Sequence, residues 1–326
     1  MKISLTLFGL VALLLLFASP VEAQFTGELF SVSLTPEHPK PGQTVTIEIE
    51  SYSINLNSSA ISWLVDGAVA KQGVGQKTFD VIAGKAGRST NVRIVVNGNT
   101  GAYGEKTVVI RPADVDIVWE AASYTPPFYK GKAMHSFQSD VTFIAMPNLI
   151  SGDGVRLSAK NVVYTWKRDG QVLGDSSGFG KQTLTLVANA IIKPMNVEVE
   201  VASQDGTVRA KNGVQVFPRS PELLLYEDQP LLGIRFERAL EGTYALSGDE
   251  VKVAAFPFFT SSDERNSSSL NFRWSMNNRE LTSSDSFITL RSERGQTGTA
   301  AITLTASHFK KFLQSATKSF TVQFGN

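Results

Sequence analysis

The sequence predicts an all-β protein built from three tandem β-sandwiches, and three observations carry that prediction. Apolar and polar residues alternate with a period of two, as in Thr44-Val45-Thr46-Ile47-Glu48-Ile49-Glu50, which puts Val45, Ile47 and Ile49 on one face of a strand. Clusters of Gly, Pro, Asn, Asp and Ser punctuate these runs at positions suited to turns. The pattern also recurs: Trp63, Trp166 and Trp274 lie 103 and 108 residues apart. The third and fourth residues after each are Asp66-Gly67, Asp169-Gly170 and Asn277-Asn278. All three pairs tolerate the positive φ of a two-residue hairpin turn, so each Trp is expected to enter a core just before a tight corner.

Residues 1–23 precede the repeats. Lys2, an apolar run from Leu5 to Ala18, Pro20 and then Val21-Glu22-Ala23 form the pattern of a secretory signal peptide cut after Ala23. The run is short for the roughly 20 residues that span a bilayer, so stable insertion is expected only if the segment stays uncleaved. The chain is therefore expected to be exported, to the periplasm, the cell surface or the medium.

The first unit, residues 24–112, is expected to open on an edge strand within Phe25–Leu34, before Pro36, Pro39, Pro41 and Gly42 interrupt. Ile61–Val65 turns through Asp66-Gly67 into Ala68–Ala70, and strands follow at 78–82, 91–97 and 105–110. About seven short strands in roughly ninety residues is the density of an immunoglobulin-like sandwich. The second unit, 113–218, repeats this plan with strands at 116–120, 139–145, around Trp166, and at 196–202 and 213–217. The third, 219–326, runs through Leu223–Glu227, Glu250–Phe256, Leu270–Trp274, Ala300–Ala306 and Ser319–Phe324. Units one and two share Gly-x-Gly-x-x-Thr (Gly73, Gly75, Thr78; Gly178, Gly180, Thr183), and units two and three share Ala145-Met146-Pro147 with Ala255-Phe256-Pro257.

In this setting Tyr164-Thr165-Trp166-Lys167-Arg168-Asp169-Gly170 resembles the centre of PKD-type and related bacterial immunoglobulin-like domains, where an aromatic-x-Trp strand enters an Asp-Gly turn. Lys167-Arg168 stand where those domains usually carry a Phe-Gly-Asp type of turn, and the antibody-like Cys pair is absent. The resemblance implies an exported surface or periplasmic protein whose modules act as spacers, adhesive units or binding platforms. It implies no catalytic residues.

Composition narrows the chemistry. A net charge of +1 offers no general field for nucleic acid or an anionic membrane, and no cysteine means no disulfide or thiolate site. His38, His135 and His308 fall in different units, with no second ligand-type residue at metal spacing. Asp114 and Asp116 at the first junction are too few for a calcium clamp. The Gly-x-Gly pairs precede expected strands, whereas a phosphate cradle needs a helix after it. No cofactor or metal is expected, nor is catalysis.

Aromatic clusters are the remaining candidates. Tyr124, Phe128 and Tyr129 flank Pro126-Pro127, and Phe258 and Phe259 follow Phe256-Pro257. These rings suit either a partner-binding face or packing of the repeated scaffold. The expected function is a non-enzymatic interaction or adhesion module for an envelope protein or glycan. The alternatives are an architectural spacer in an appendage or envelope complex, and a carbohydrate-binding accessory of an enzyme system.

Overall fold

The structure, a computed structural model, describes residues 29–188, 193–292 and 297–325. The expected signal peptide, and Phe25 to Glu28 of the expected first strand, lie outside the described residues. No α-helix occurs among those described, and none is long and apolar enough to cross a membrane. The described residues divide into two compact units: one holds residues 29–35, Thr46–Val81 and Asn91–Val108, and the other holds the rest.

The strands form a Trp-centred sandwich three times over. The first has β1 (Ser31–Thr35), β2 (Thr44–Glu50), β3 (Ala60–Val65), β4 (Ala68–Val74), β5 (Thr78–Ile82), β6 (Thr90–Asn97) and β7 (Tyr103–Ile110). They pair as sheets β1-β2-β5 and β4-β3-β6-β7. The second has β8 (Asp114–Ala121), β9 (Asp140–Asn148), β10 (Val163–Arg168), β11 (Gln171–Val172), β12 (Gly178–Phe179), β13 (Thr183–Val187), β14 (Met195–Ala202) and β15 (Arg209–Val216). Its sheets, β13-β9-β8 and β11-β10-β14-β15, repeat the first order, with β12 also on β10. The third has β16 (Glu222–Gln229), β17 (Gly233–Ala239), β18 (Thr243–Ala245), β19 (Glu250–Phe258), β20 (Leu270–Met276), β21 (Arg279–Glu280), β22 (Phe287–Arg291), β23 (Gly298–His308) and β24 (Ser315–Phe324). It adds β17 as an edge on β16 and β18 in parallel beside β24.

Why the Trp and its turn recur is visible in the bonds they make. Trp63, Trp166 and Trp274 are all fully buried. A buried indole N–H left unpaired is costly. Each therefore donates to a backbone carbonyl at 2.9 Å: Gln76, Lys181 and Asp285, in each case two residues ahead of the next long strand of the opposite sheet. The indole thus bolts one sheet to the entry of the other. Asp66, Asp169 and Asn277 sit at φ of 48°, 49° and 49°. Their side-chain oxygens accept from the N–H of Asn91, Asn196 and Ala301, which holds the turn to the neighbouring strand. An Asp or Asn is favoured there because a short polar side chain can both accept that bond and sit at positive φ.

The two smaller motifs are structural as well. Gly75 and Gly180 adopt φ of 71° and 69° and donate to the carbonyls of Ser59 and Val162. A Cβ there would stand 3.1 Å from the Asn57 carbonyl oxygen or 3.2 Å from that of Lys160. Strands β5 and β13 follow these loops. In Ala-x-Pro, Ala145 and Ala255 donate the last bonds across to Gln182 and Ser286. Two residues on, Pro147 and Pro257 have no N–H to offer on that side.

Alternation fails at one place. In β19 the pattern from Val253 to Phe258 is buried on both faces, whereas Met146 on the equivalent strand β9 is 54 % exposed. Something covers the outer face of β19.

Candidate binding cleft at an aromatic joint

The cover is the connection between β8 and β9, residues 122–139, together with β17. Pro126-Pro127 stiffens its tip, and the Tyr129 N–H closes a turn onto the Pro126 carbonyl at 2.9 Å. The segment then pairs with the chain just beyond β19. Tyr124 N–H donates to the Thr260 carbonyl at 2.7 Å and the Phe259 N–H donates back to the Tyr124 carbonyl at 2.8 Å. Phe259 makes this bond from φ +60°, a strained backbone for a bulky residue.

The rings interlock. Phe128 lies 4.1 Å from Phe236 of β17, centroid to centroid, and stands edge-on to Tyr226, Phe256 and Phe258 at 5.7, 5.6 and 6.1 Å. Tyr129 stands edge-on to Phe258 and Phe259, both at 5.7 Å. Such edge-to-face pairs align the positive rim of one ring with the negative face of the next. Gly131 lies against Tyr129: a Cβ there would fall 2.4 Å from the phenol. The guanidinium of Arg265 covers the Phe256 ring at 4.8 Å. The joint is therefore a second, small core outside the main sandwich core.

All five residues singled out in the sequence meet here. Phe258 and Phe259 are each 5 % exposed, while Tyr124, Phe128 and Tyr129 are half-buried. Burial raises the pKa of the Tyr124 phenol. Beside them opens a cleft of about 500 Å³, walled by the edges of Phe128, Tyr129, Phe258 and Phe259 and rimmed by Lys130, Arg219 and Glu222. Apolar ring surface with two cations and a carboxylate at its border has the chemistry to desolvate a flat group and orient its polar substituents. Sequence reasoning missed Lys130, Arg219, Glu222 and Phe236. Arg219, Glu222 and Phe236 belong to segments that meet the cluster only through the fold, and Lys130, although next to Tyr129, carries no pattern of its own.

Polar bonds lock the same joint. Gln314, fully buried, donates to the Phe137 carbonyl at 2.6 Å and to the Ser261 hydroxyl at 2.8 Å, and accepts from the Ser261 N–H. His135 is buried edge-on to Trp119, and its carbonyl accepts from the Arg219 N–H at 2.9 Å. Its Nδ1 and the Ser136 hydroxyl are buried without a partner, and burial lowers the imidazole pKa. Elsewhere, His38 Nε2 lies 3.8 Å from Glu200, and Asp114 is paired with Lys40 at 3.0 Å.

The strand pairing places each sandwich in a familiar architecture, with three or four strands facing a larger sheet that carries the Trp. The fold is that of tandem immunoglobulin-like sandwiches. Solved structures to which the chain is similar include a central fibronectin-III array of RIM-binding protein (12 % identity, 91 % of this chain and 96 % of that one, TM-score 0.31). Three N-terminal domains of the bacteriophage RB49 Highly Immunogenic Outer Capsid protein match at 12 % identity over 91 % and 98 %, with a TM-score of 0.28. Sidekick-1 immunoglobulin domains 1–4 match at 12 % identity over 91 % and 74 %, with a TM-score of 0.20. No protein-family model matches the sequence, and no curated protein is significantly similar to it.

Proposed function

We propose that the chain is a non-enzymatic interaction or adhesion module that works outside the cytoplasm and binds a protein or glycan at the cell envelope. On this reading residues 1–23 are a signal peptide removed on export, and 24–112, 113–218 and 219–326 are its domains. The cleft at the aromatic joint carries the reading: Phe128 and Tyr129 offer ring surface to a sugar ring or a flat side chain, and Lys130, Arg219 and Glu222 reach its polar groups. The test is titration of the immobilised protein with polysaccharides and with solubilised envelope proteins. Arg219→Ala and Lys130→Ala leave the ring packing intact and are expected to weaken binding about tenfold each, about 1.4 kcal/mol, as for a contributing interface residue. Full binding by both variants would overturn the assignment, as would turnover of a substrate abolished by changing one carboxylate or histidine.

The joint itself favours a second reading, a spacer in an appendage or envelope complex. Backbone pairing at Tyr124 and the buried Gln314 fasten residues of the second and third sandwiches together, which suits a part that transmits position. A protein that binds none of the probes, yet scatters X-rays as one fixed shape in solution, would select the spacer.

A further inference from the structure

The connection between β23 and β24 presents an arrangement that burial alone does not explain. Phe309 is 63 % exposed and Phe312 75 % exposed, with Lys310 and Lys311 between them. Two phenyl rings left in water within four residues are an unfavourable choice for a loop. The loop is not loose either. His308, itself 8 % exposed, accepts at Nδ1 from the N–H groups of both Lys310 and Lys311 at 3.1 Å and stacks on Phe309 at 5.7 Å. Gln314 closes the other end: its N–H donates to the Lys311 carbonyl and its carbonyl accepts from the His308 N–H, both at 2.8 Å. Its side chain is anchored in the joint described above. The backbone of the loop is thus held at both ends while the two rings stay largely exposed on it.

We propose that this loop is a docking point for an anionic lipid surface, a site separate from the aromatic cleft. The two rings supply apolar surface that sits at the boundary of headgroups and acyl chains. Lys310, whose ammonium lies 5.4 Å from the centre of the Phe309 ring, and Lys311 supply the attraction to anionic headgroups. Their amines lie on the same four-residue tip as the rings, so one approach satisfies both. Two lysines and two phenyl rings make a reversible contact, and the low overall charge of the chain makes that contact local to this tip.

The test is co-sedimentation of the chain from residue 24 onward, because an apolar leader would itself bind lipid. The probes are vesicles of phosphatidylcholine alone and of an equal mixture with phosphatidylglycerol. The expected result is binding to the mixed vesicles, release in about 1 M salt, and a loss of about tenfold in affinity in the pair Phe309→Ala with Phe312→Ala. The pair Lys310→Ala with Lys311→Ala is expected to remove the preference for the anionic lipid. Because the altered side chains are exposed, these variants should melt at the parent temperature, and Phe312→Trp should gain emission that brominated lipid quenches. Equal binding by parent and Phe variants overturns the proposal. So does a chain that ignores vesicles but binds polyglutamate through the same residues, which would point to an acidic protein. Arg219→Ala should keep its vesicle binding, which separates this site from the cleft.

Discussion

At Trp166 the energetic logic of the repeats can be tested on one side chain. Trp166→Phe keeps most of the apolar volume but leaves the Lys181 carbonyl without its donor, a loss of about 1–3 kcal/mol measurable by urea unfolding. Trp166→Ala should cost about 3–5 kcal/mol, because a cavity is added. If both variants unfolded at the parent midpoint, the indole would not be the bolt between sheets. Asp169 is a subtler case. Burial would raise its carboxyl pKa, but the N–H groups of Asn196 and the nearby Lys193 ammonium outweigh that and hold it below the usual carboxylate range. A carboxylate depressed in the folded state adds stability above its unfolded pKa, and that contribution disappears as acid protonates it. The parent should therefore lose more stability than Asp169→Asn between neutral pH and about pH 3. Equal losses would show that the turn gains nothing from the charge.

The elements show which parts were legible before any coordinates. Strand positions around the three Trp residues, the turns after them and the loop role of the Gly pairs could be read because each depends on neighbours close in sequence. The strand β17 had a signal, the alternation of Ile234, Phe236 and Arg238 after a Pro-Leu-Leu-Gly turn, yet it has no counterpart in the other repeats and so went unread. The aromatic clusters were visible as composition. Their meeting was not, because Tyr129 and Phe259 are brought together by a pairing across 130 residues. Gly131 offers the direct test of that meeting. Gly131→Ala drives a methyl into the Tyr129 ring and should destabilise the joint by about 1–3 kcal/mol, seen as a lower melting temperature and altered tyrosine near-ultraviolet dichroism. The joint also carries a pH signature. Burial lowers the pKa of both His135 and His308, with Lys311 adding to it for His308. Below about pH 6.5 the unfolded chain takes up protons that the folded chain refuses, so stability should fall from pH 7 toward pH 5. His135→Gln should flatten that fall, and an unchanged slope would count against the buried imidazole.

For the molecule as a whole, the joint should make the second and third sandwiches unfold together. Phe128→Ala removes the ring that touches Phe236, Tyr226, Phe256 and Phe258 at once, and should split one cooperative transition into two when followed by tryptophan fluorescence. A single transition in that variant would mean that the polar lock at Gln314 suffices. That lock has a consequence for the order in which the protein is assembled. Gln314 reaches the Phe137 carbonyl across 177 residues of sequence. During synthesis, the segment carrying Tyr124, Phe128 and Tyr129 emerges long before its cover exists. Its greasy face must then wait unshielded while an entire further sandwich is threaded out behind it, and in that interval the nascent chain is most open to sticking to its neighbours and most in need of an escort.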